Sequence, residues 1–267
     1  FGWNQTINNH ISARVPDEPD HFIMNPTNLA WDEMSASCMI KMQLDGTVKS
    51  DTDLEVGPAG KNFHGAILAA KPELCCVFHI HPTDGVVVSA LKEGLIFADQ
   101  GSCALYGLVG YHVFEGLASA RDEGLRIVED LGDNMILIMR NHGLLSVGRT
   151  IGEAFAYMQR LIMACETQVR LMSTGAEINK VPAEVLEHTR KQMLNRTDGR
   201  PFGEKAWPAM VRLADKLPEE AHMVGTVHDE LIVECPADFA EEVCQLTEEV
   251  MREAMFNVLG SEVPVEV

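Results

Sequence analysis

Basic residues are scarce in this sequence. Its 267 residues include 21 lysines and arginines against 40 aspartates and glutamates, which gives a formal net charge of −19. Proteins that bind nucleic acids or anionic membrane surfaces depend on lysine and arginine side chains. The charge therefore argues against both classes, and we expect no nucleic-acid partner and no membrane partner.

Long apolar runs are also absent. No stretch approaches the roughly 18–20 apolar residues that span a bilayer, and no basic segment followed by an apolar core opens the chain, as a secretory signal would require. The opening residues 1–14, FGWNQTINNHISAR, are typical of a domain interior, so we expect the natural N-terminus to lie upstream. We expect a cytoplasmic protein.

A cysteine spacing typical of disulfide-bonded proteins is absent as well. The seven cysteines are an odd number and show no C-x-x-C pair. This pattern indicates buried thiols in a reducing compartment rather than a disulfide framework.

The residues that remain predict alternating strands and helices. Strands are expected at 21–26, 38–46, 75–82 and 108–116, a hairpin at 134–148, and helices at 61–70 and 85–94. The run from Thr150 to Glu153 has the spacing of a capping box. Apolar residues then follow at steps of three and four as far as Met172, which predicts a long amphipathic helix. Asp122 and Glu123 are expected in a solvated turn.

Two histidines stand one residue apart in the run VFHIHP, residues 77–82. In a strand, His79 and His81 would share one face, since successive side chains alternate between the two faces. Such a pair is either part of a metal site or a pair of polar side chains at a strand end. His142, in the predicted hairpin turn, would supply the third protein ligand of a catalytic zinc site. Periodicity alone does not bring His142 to the other two.

Several separated motifs resemble the class II aldolase/adducin family. They are NHISARVP at 9–16, HFIMNP at 21–26, NFHGAILAAKPE at 62–73, HIHP at 79–82, RNHGLLSVGRTIGEAF at 140–155, ACETQVR at 164–170 and EKAWPAMVRLAD at 204–215. The resemblance covers about residues 1–215 and is greater to the adducin-like branch than to the sugar-phosphate aldolases. It implies a three-layer α/β/α fold around a mostly antiparallel sheet, and a homo-oligomer.

The resemblance also implies a site. It makes His79, His81 and His142 the ligands of a divalent metal, zinc above all, and Tyr111 the proton donor. The activity implied is that of a metal-dependent lyase, of the aldehyde-lyase type, acting on a small-molecule carbonyl compound such as a hydroxy-carbonyl or a sugar phosphate. The alternative interpretation of Tyr111 is an aromatic residue that packs a strand.

Two departures from the aldolase pattern concern the substrate. Thr27 and Asn28 occupy the place of a Ser-Gly pair in the phosphate-binding loop of the aldolases. Gly60 occupies the place of their acid/base glutamate. Gly57 and Gly60 also precede a predicted helix N-terminus, which is either an anion-binding site or a plain helix cap. Thr27, Asn28 and Gly60 are therefore the candidate substrate-binding residues. The alternative implied by the missing carboxylate is a non-catalytic, adducin-like interaction module that keeps the fold.

The last fifty residues differ from the rest. Residues 217–267 hold thirteen acidic residues and one basic residue, and we place a boundary between a first domain, 1–215, and a second segment, 216–267. Residues 223–255 and the final VPVEV resemble the end of the palm domain of family A DNA polymerases, with Asp229 at the position of a metal-binding aspartate. The pattern predicts a β-hairpin followed by a helix. A remnant of a DNA-directed DNA polymerase, a DNA-binding replication enzyme, is thus a further alternative, although the second aspartate of a two-metal site is missing upstream.

Overall fold

The computed structural model describes residues 3, 5, 7–116, 121–217, 222–227 and 230–259. They form two compact units, one of residues 3–202 and a smaller one that begins at Gly203. The division precedes the boundary predicted after residue 215, so the helix at 207–216 belongs to the smaller unit.

The larger unit contains a seven-stranded sheet and six α-helices. Its strands are β1 (His10–Val15), β2 (Glu18–Met24), β3 (Ile40–Gln43), β4 (Cys76–Ile80), β5 (Val109–His112), β6 (Ile136–Met139) and β7 (Gly143–Gly148). Its helices are α1 (Gly65–Ala70), α2 (Thr83–Ala90), α3 (Gln100–Cys103), α4 (Arg121–Leu131), α5 (Ile151–Ser173) and α6 (Ala183–Thr197). A π-helical turn, Gly60–His64, leads directly into α1.

The strand order is β3-β2-β1-β4-β7-β6-β5. Every neighbouring pair is antiparallel except β5 and β6, which run parallel. Strand β4 lies in the centre and all five of its residues are buried, which explains why its sequence is an almost unbroken apolar run.

Two hydrophobic clusters cover the two faces of the sheet. On one face, Val77 of β4 packs with residues of α1 and α4, among them Ile67 and Ile127. On the other face, Phe78 packs with residues of α2 and α5. Helices thus cover both faces of a mostly antiparallel sheet, and the predicted three-layer α/β/α fold is confirmed.

One sequence prediction is wrong at α4. Asp122 and Glu123 were expected in a solvated turn, but both lie in the first turn of this helix, and Glu123 is 4% exposed. The apolar residues of α4 are few, and its polar first turn hid the helix in the sequence. The apolar residues Ile127 and Leu131 anchor it on the sheet.

Helix α5 begins as the capping-box spacing predicts, but only half of the box forms. The Thr150 hydroxyl accepts a hydrogen bond from the Glu153 amide at 3.0 Å. The Glu153 carboxylate does not accept a hydrogen bond from the Thr150 amide, which the second half of a capping box would require. It accepts from the Arg149 amide at 2.7 Å, from the Arg149 guanidinium at 2.8 Å, and from the Phe202 amide at 3.1 Å. Buried Glu153 therefore fastens residue 202, at the end of the unit, to the start of α5.

The smaller unit contains α7 (Trp207–Lys216), the antiparallel strands β8 (His222–Val227) and β9 (Glu230–Glu234), and α8 (Ala240–Leu259). The hairpin and helix predicted for this segment are present. Val243 and Val250 of α8 are buried. Asp229 lies outside the described residues.

Two further observations bear on the sequence predictions. All seven cysteines are free thiols, and Cys76, Cys103 and Cys165 are buried. Within the described ranges, the helices are too short or too polar to cross a membrane.

The buried Glu153 carboxylate generates a stability prediction. Glu153→Ala is expected to lower the free energy of unfolding by at least about 2 kcal/mol, because two backbone amides lose their acceptor, at about 1–3 kcal/mol each. Urea unfolding measures the change. Glu166→Ala is the matched control, since Glu166 forms an exposed pair with Arg170 at 4.0 Å in the same helix and such pairs contribute about 0–1 kcal/mol. Equal losses in the two variants would contradict the role of Glu153.

Candidate metal centre

The three predicted histidines meet at one edge of the sheet. His79 is on β4, His81 follows the end of that strand, and His142 lies in the turn between β6 and β7. One ring nitrogen of each residue lies within 4.8 Å of the others. In the part of the chain that the structure describes, this trio is the one group of three or more such side chains close enough to hold a metal ion.

The Asn141-His142-Gly143 turn places the third histidine beside His79 and His81. Asn141 adopts a left-handed backbone with φ 55°, which asparagine tolerates better than most residues, and this tightens the turn. Gly143 permits the close approach of the turn to β4. A Cβ at that position would lie 2.7 Å from Cδ2 of His81 and 2.8 Å from the carbonyl oxygen of Ile80. Any larger residue would push His142 away from the other two histidines.

Hydrogen bonds indicate which ring nitrogen of His79 and of His81 carries the proton. Nδ1 of His79 lies 3.0 Å from the carbonyl oxygen of Leu144. A carbonyl oxygen only accepts, so Nδ1 carries the proton. Nδ1 of His81 likewise donates to Oδ1 of Asn9 at 2.9 Å. The unprotonated atoms are then the two Nε2 atoms, which face each other at 2.9 Å.

Asn9 is a residue of this site that sequence reasoning missed. Its side-chain oxygen accepts from both the ring and the backbone amide of His81, and its own amide group donates to the Trp3 carbonyl at 2.5 Å. Asn9 is buried, so it holds His81 in one orientation. The signal in the sequence was weak, since Asn9 lies far from the histidines along the chain and meets them only through the pairing of β1 with β4.

Burial keeps the three imidazoles neutral. Desolvation, followed by the neighbouring histidines, lowers the pKa of His79 well below its ordinary value and lowers the pKa of His81 to about 4. Burial also lowers the pKa of His142. Neutral imidazole is the form that binds zinc and similar divalent ions.

A second pair of histidines adjoins the trio. His10 pairs with His79 across strands β1 and β4, and their ring centroids are 4.8 Å apart. Nδ1 of His10 lies 2.8 Å from Nε2 of His64, and Nδ1 of His64 lies 2.7 Å from the Ser12 hydroxyl. Burial lowers the pKa of His10 to about 3 and that of His64 well below its ordinary value. The His10 ring thus packs against the His79 ring, and His64 holds His10 through the hydrogen bond between their rings.

Thr27 and Asn28, two predicted substrate-binding residues, are braced against one backbone segment. The Thr27 hydroxyl donates to the carbonyl oxygen of Glu55 at 3.2 Å, and the side-chain oxygen of Asn28 accepts from the Glu55 amide at 3.1 Å. Gly57 lies close to the side chain of Thr27, since a Cβ at residue 57 would lie 3.4 Å from Cγ2 of Thr27. The two residues thus lie beside the loop that leads into the π-helical turn.

Gly60 opens that turn and is buried. A Cβ at this position would lie 2.8 Å from the sulfur of Met24. The volume next to Gly60 is therefore filled by a methionine, and a side chain at residue 60 would have to displace it.

Tyr111 lies on the other face of the sheet from His79. It packs with the cluster beneath α2 and α5, whereas His79 contacts Phe63 of the opposite cluster. The Tyr111 hydroxyl accepts from the Leu95 amide at 3.0 Å, and burial raises its pKa. The Arg140 guanidinium lies over the ring, 4.2 Å from the centroid. Within one chain, this tyrosine and the histidine trio are separate.

Comparison with known proteins agrees with the fold and the histidine motifs. Residues 1–169 match the family model described as the class II aldolase and adducin N-terminal domain. The chain belongs to the class II aldolase and adducin family. Family membership accounts for the ordered series of motifs from residue 9 to residue 170.

Relatives of this family member include both kinds of protein that the motifs indicated. It is 38% identical to alpha-adducin of Rattus norvegicus in an alignment of 233 residues that covers 81% of this chain and 31% of alpha-adducin. The chain thus spans about a third of that relative.

Two solved structures of the class II aldolase superfamily are similar. One is an aldolase II superfamily protein from Pseudomonas syringae, with a TM-score of 0.73 and 39% identity over 79% of this chain and 84% of that one. The other is an L-fuculose 1-phosphate aldolase from Glaciozyma antarctica, with a TM-score of 0.64 and 31% identity over 72% of this chain and 74% of that one.

The resemblance of residues 217–267 to a polymerase palm finds no support in these comparisons. The family model ends at residue 169. Asp229, on which the resemblance depended, lies outside the described residues, so its role stays a prediction.

The buried histidines generate a pH prediction for the metal-free protein. Their pKa values are lower in the folded chain than in the unfolded chain, so the unfolded chain binds more protons and stability falls as the pH falls. The loss begins near pH 6.5 and continues below pH 4, since the pKa of His10 is lowered to about 3, and the share of His81, about 1–3 kcal/mol, is lost between pH 6.5 and about pH 4.

Urea unfolding in the presence of a chelator, at several values of pH between 7 and 4, measures this slope. His81→Gln is expected to flatten it. His188→Gln, at an exposed position on α6, is the matched control and is expected to leave it unchanged. Stability that stays constant between pH 6.5 and 4 would contradict the prediction.

Proposed function

We propose that this chain is a metal-dependent lyase of the class II aldolase type, which cleaves or forms a carbon–carbon bond beside a carbonyl group. One observation carries the proposal. The Nε2 atoms of His79 and His81 both lack a proton, yet face each other at 2.9 Å. Two lone pairs repel at that distance unless a cation lies between them. A proton is a poor candidate near pH 7, because the pKa of His81 is about 4.

Zinc is the divalent ion that fits best. Three neutral imidazoles leave one position of a tetrahedral zinc ion open, as in catalytic sites. Zn–N bonds of about 2.0–2.1 Å place two ligand nitrogens roughly 3.3 Å apart, close to the 2.9 Å between the two Nε2 atoms. A small movement of the His142 ring would bring its nitrogen to the same ion as the third ligand. The ion would supply a Lewis acid for the carbonyl and hydroxyl oxygens of the substrate.

The chain itself would orient the ligands and the substrate. The Leu144 carbonyl and Asn9 hold the rings of His79 and His81, and such partners strengthen metal binding. Thr27 and Asn28, beside the loop at residues 55–57, are the candidates to hold a phosphate or another polar end of the substrate. In this role, the side chains of Thr27 and Asn28 would release their hydrogen bonds to the Glu55 backbone and bind the ligand instead.

A homo-oligomer would give Tyr111 a function. Strand β5, which carries Tyr111, is at the edge of the sheet, and Val113 and Phe114 beyond it are 69% and 51% exposed. Adjacent exposed apolar residues at an edge strand are typical of an interface. We infer that a second copy covers this edge and that Tyr111 serves as proton donor at a site between copies.

A non-catalytic, adducin-like interaction module is the second candidate. The observation in its favour is Gly60, where Met24 fills the volume of the glutamate found in the aldolases. General acid/base groups contribute about 10²–10⁴-fold to rate. The similarity to alpha-adducin is consistent with this candidate.

Metal content is the first test. Purified protein is expected to hold about one zinc ion per chain, and His79→Ala, His81→Ala and His142→Ala are each expected to lose it. Gly143→Ala is expected to weaken zinc binding as well, because its methyl group would lie 2.7 Å from the His81 ring. Elemental analysis and competition with a chelator measure both effects.

Gly175→Ala is the control for Gly143→Ala. Gly175 has φ 66° and open space around it, so alanine costs stability through backbone strain but does not touch the trio. Full zinc occupancy in the His79→Ala, His81→Ala double variant would contradict the assignment of the three histidines as zinc ligands.

Activity is the second test. The zinc-loaded protein is screened for cleavage of hydroxy-ketones and sugar phosphates. With a cleaved substrate in hand, Tyr111→Phe is expected to lower kcat far more than it changes KM, since a proton donor acts in the transition state. Tyr106→Phe provides the matched control. Zinc binding without cleavage of any substrate would favour the interaction module.

A further inference from the structure

A buried carboxylate and a buried histidine lie side by side outside the trio. Glu123, in the first turn of α4, is 4% exposed, and His112, at the end of β5, is 2% exposed. Oε1 of Glu123 lies 3.7 Å from Nε2 of His112. Ionisable side chains are rarely buried without a specific reason.

One nitrogen of His112 is engaged and the other is not. Nδ1 donates to Oδ2 of Asp130 at 2.7 Å. Nε2 is buried and, among the residues that the structure describes, has no hydrogen-bond partner. A buried polar atom without a hydrogen-bond partner destabilises the folded state. The arrangement fixes the ring through Asp130 and leaves Nε2, next to Glu123, as the atom that can gain or lose a proton.

The pair lies at the same end of the sheet as the trio. His112 is in register with Met139 on the parallel strand β6, and its carbonyl oxygen accepts from the Arg140 amide at 2.8 Å. His142 follows two residues later, and its own amide donates to Met139 at 3.1 Å. His112 also contributes, after burial, to the lowered pKa of His142, which indicates that the two rings are electrostatic neighbours.

The pair also adjoins the turn where the aldolase carboxylate is missing. Gly124, the residue after Glu123, packs on the π-helical turn, since a Cβ there would lie 3.3 Å from the carbonyl oxygen of Asn62. Glu123 therefore approaches the turn that begins at Gly60 from a different helix.

We propose that Glu123 and His112 are the proton-transfer pair of this site, in place of the carboxylate that the chain lacks at Gly60. The assignment rests on the proposed lyase function. In cleavage, the carboxylate of Glu123 accepts the proton of the substrate hydroxyl. The O–H electrons form the new carbonyl, and the electrons of the breaking carbon–carbon bond remain on the ketone fragment as an enediolate. The enediolate then takes up this proton at carbon from Glu123, which restores the carboxylate.

His112 makes this exchange possible in a buried place. A proton taken by Glu123 can pass to Nε2 of His112, where Asp130 stabilises the imidazolium that forms. The reverse transfer returns it for the second half of the reaction. His112 is a positioning residue in this scheme, and Glu123 is the group that meets the substrate.

Exchange of ketone protons tests the proposal. The zinc-loaded full chain is incubated in deuterated water with hydroxyacetone or dihydroxyacetone phosphate, and deuterium incorporation is followed by NMR. Glu123→Gln is expected to lower the exchange rate about 10²–10⁴-fold with unchanged zinc content. Asp122→Asn, its exposed neighbour in α4, is the control and is expected to behave as the wild type. Wild-type exchange in Glu123→Gln would overturn the proposal.

A second measurement separates this proposal from the proposed function. The ring nitrogens of ¹⁵N-labelled histidine report the protonation of His112 without any substrate. The His112 signals are expected to shift in Glu123→Gln and to stay unchanged in Asp122→Asn. Identical spectra in wild type and Glu123→Gln would overturn the pair, whatever the activity. A wild type that binds zinc but exchanges neither ketone would count against the lyase function, while a shifted spectrum would still support the pair.

Discussion

The close approach of the β6–β7 turn to the end of β4 is the constraint on which the site depends. It requires a residue without a side chain at 143, because the nearest atoms of His81 and Ile80 leave no room for a Cβ. It also requires the left-handed backbone of Asn141. Given these two residues, the His142 ring lies 4.9 Å from the rings of His79 and His81. The antiparallel pairing of β4 with β1 and β7 brings Asn9, His10 and the Leu144 carbonyl to the same place.

Local patterns predicted much of this arrangement. Alternation predicted that His79 and His81 share one face, and their ring centroids lie 4.5 Å apart. The long apolar stripe of α5 and its Thr150 cap were readable in the same way. These features depend on residues a few positions apart, so a single strand or helix period determines them.

Features that depend on distant residues were not readable. Nothing near Asn9 in sequence signals that its amide oxygen meets His81, and nothing near Glu153 signals the Phe202 amide. Glu123 was misread because a polar first turn looks solvated until the packing of α4 is known. Gly60 was identified as a missing carboxylate, but the methionine that fills its place comes from β2.

The three histidines differ in their access to water. His79 is fully buried, whereas His81 and His142 are half-buried. At the proposed metal site, an ion that arrived from solution would therefore meet His81 and His142 before it reached His79, and a departing ion would leave His79 first. Capture and release would then follow one ordered route, and the innermost imidazole would govern how long the ion resides.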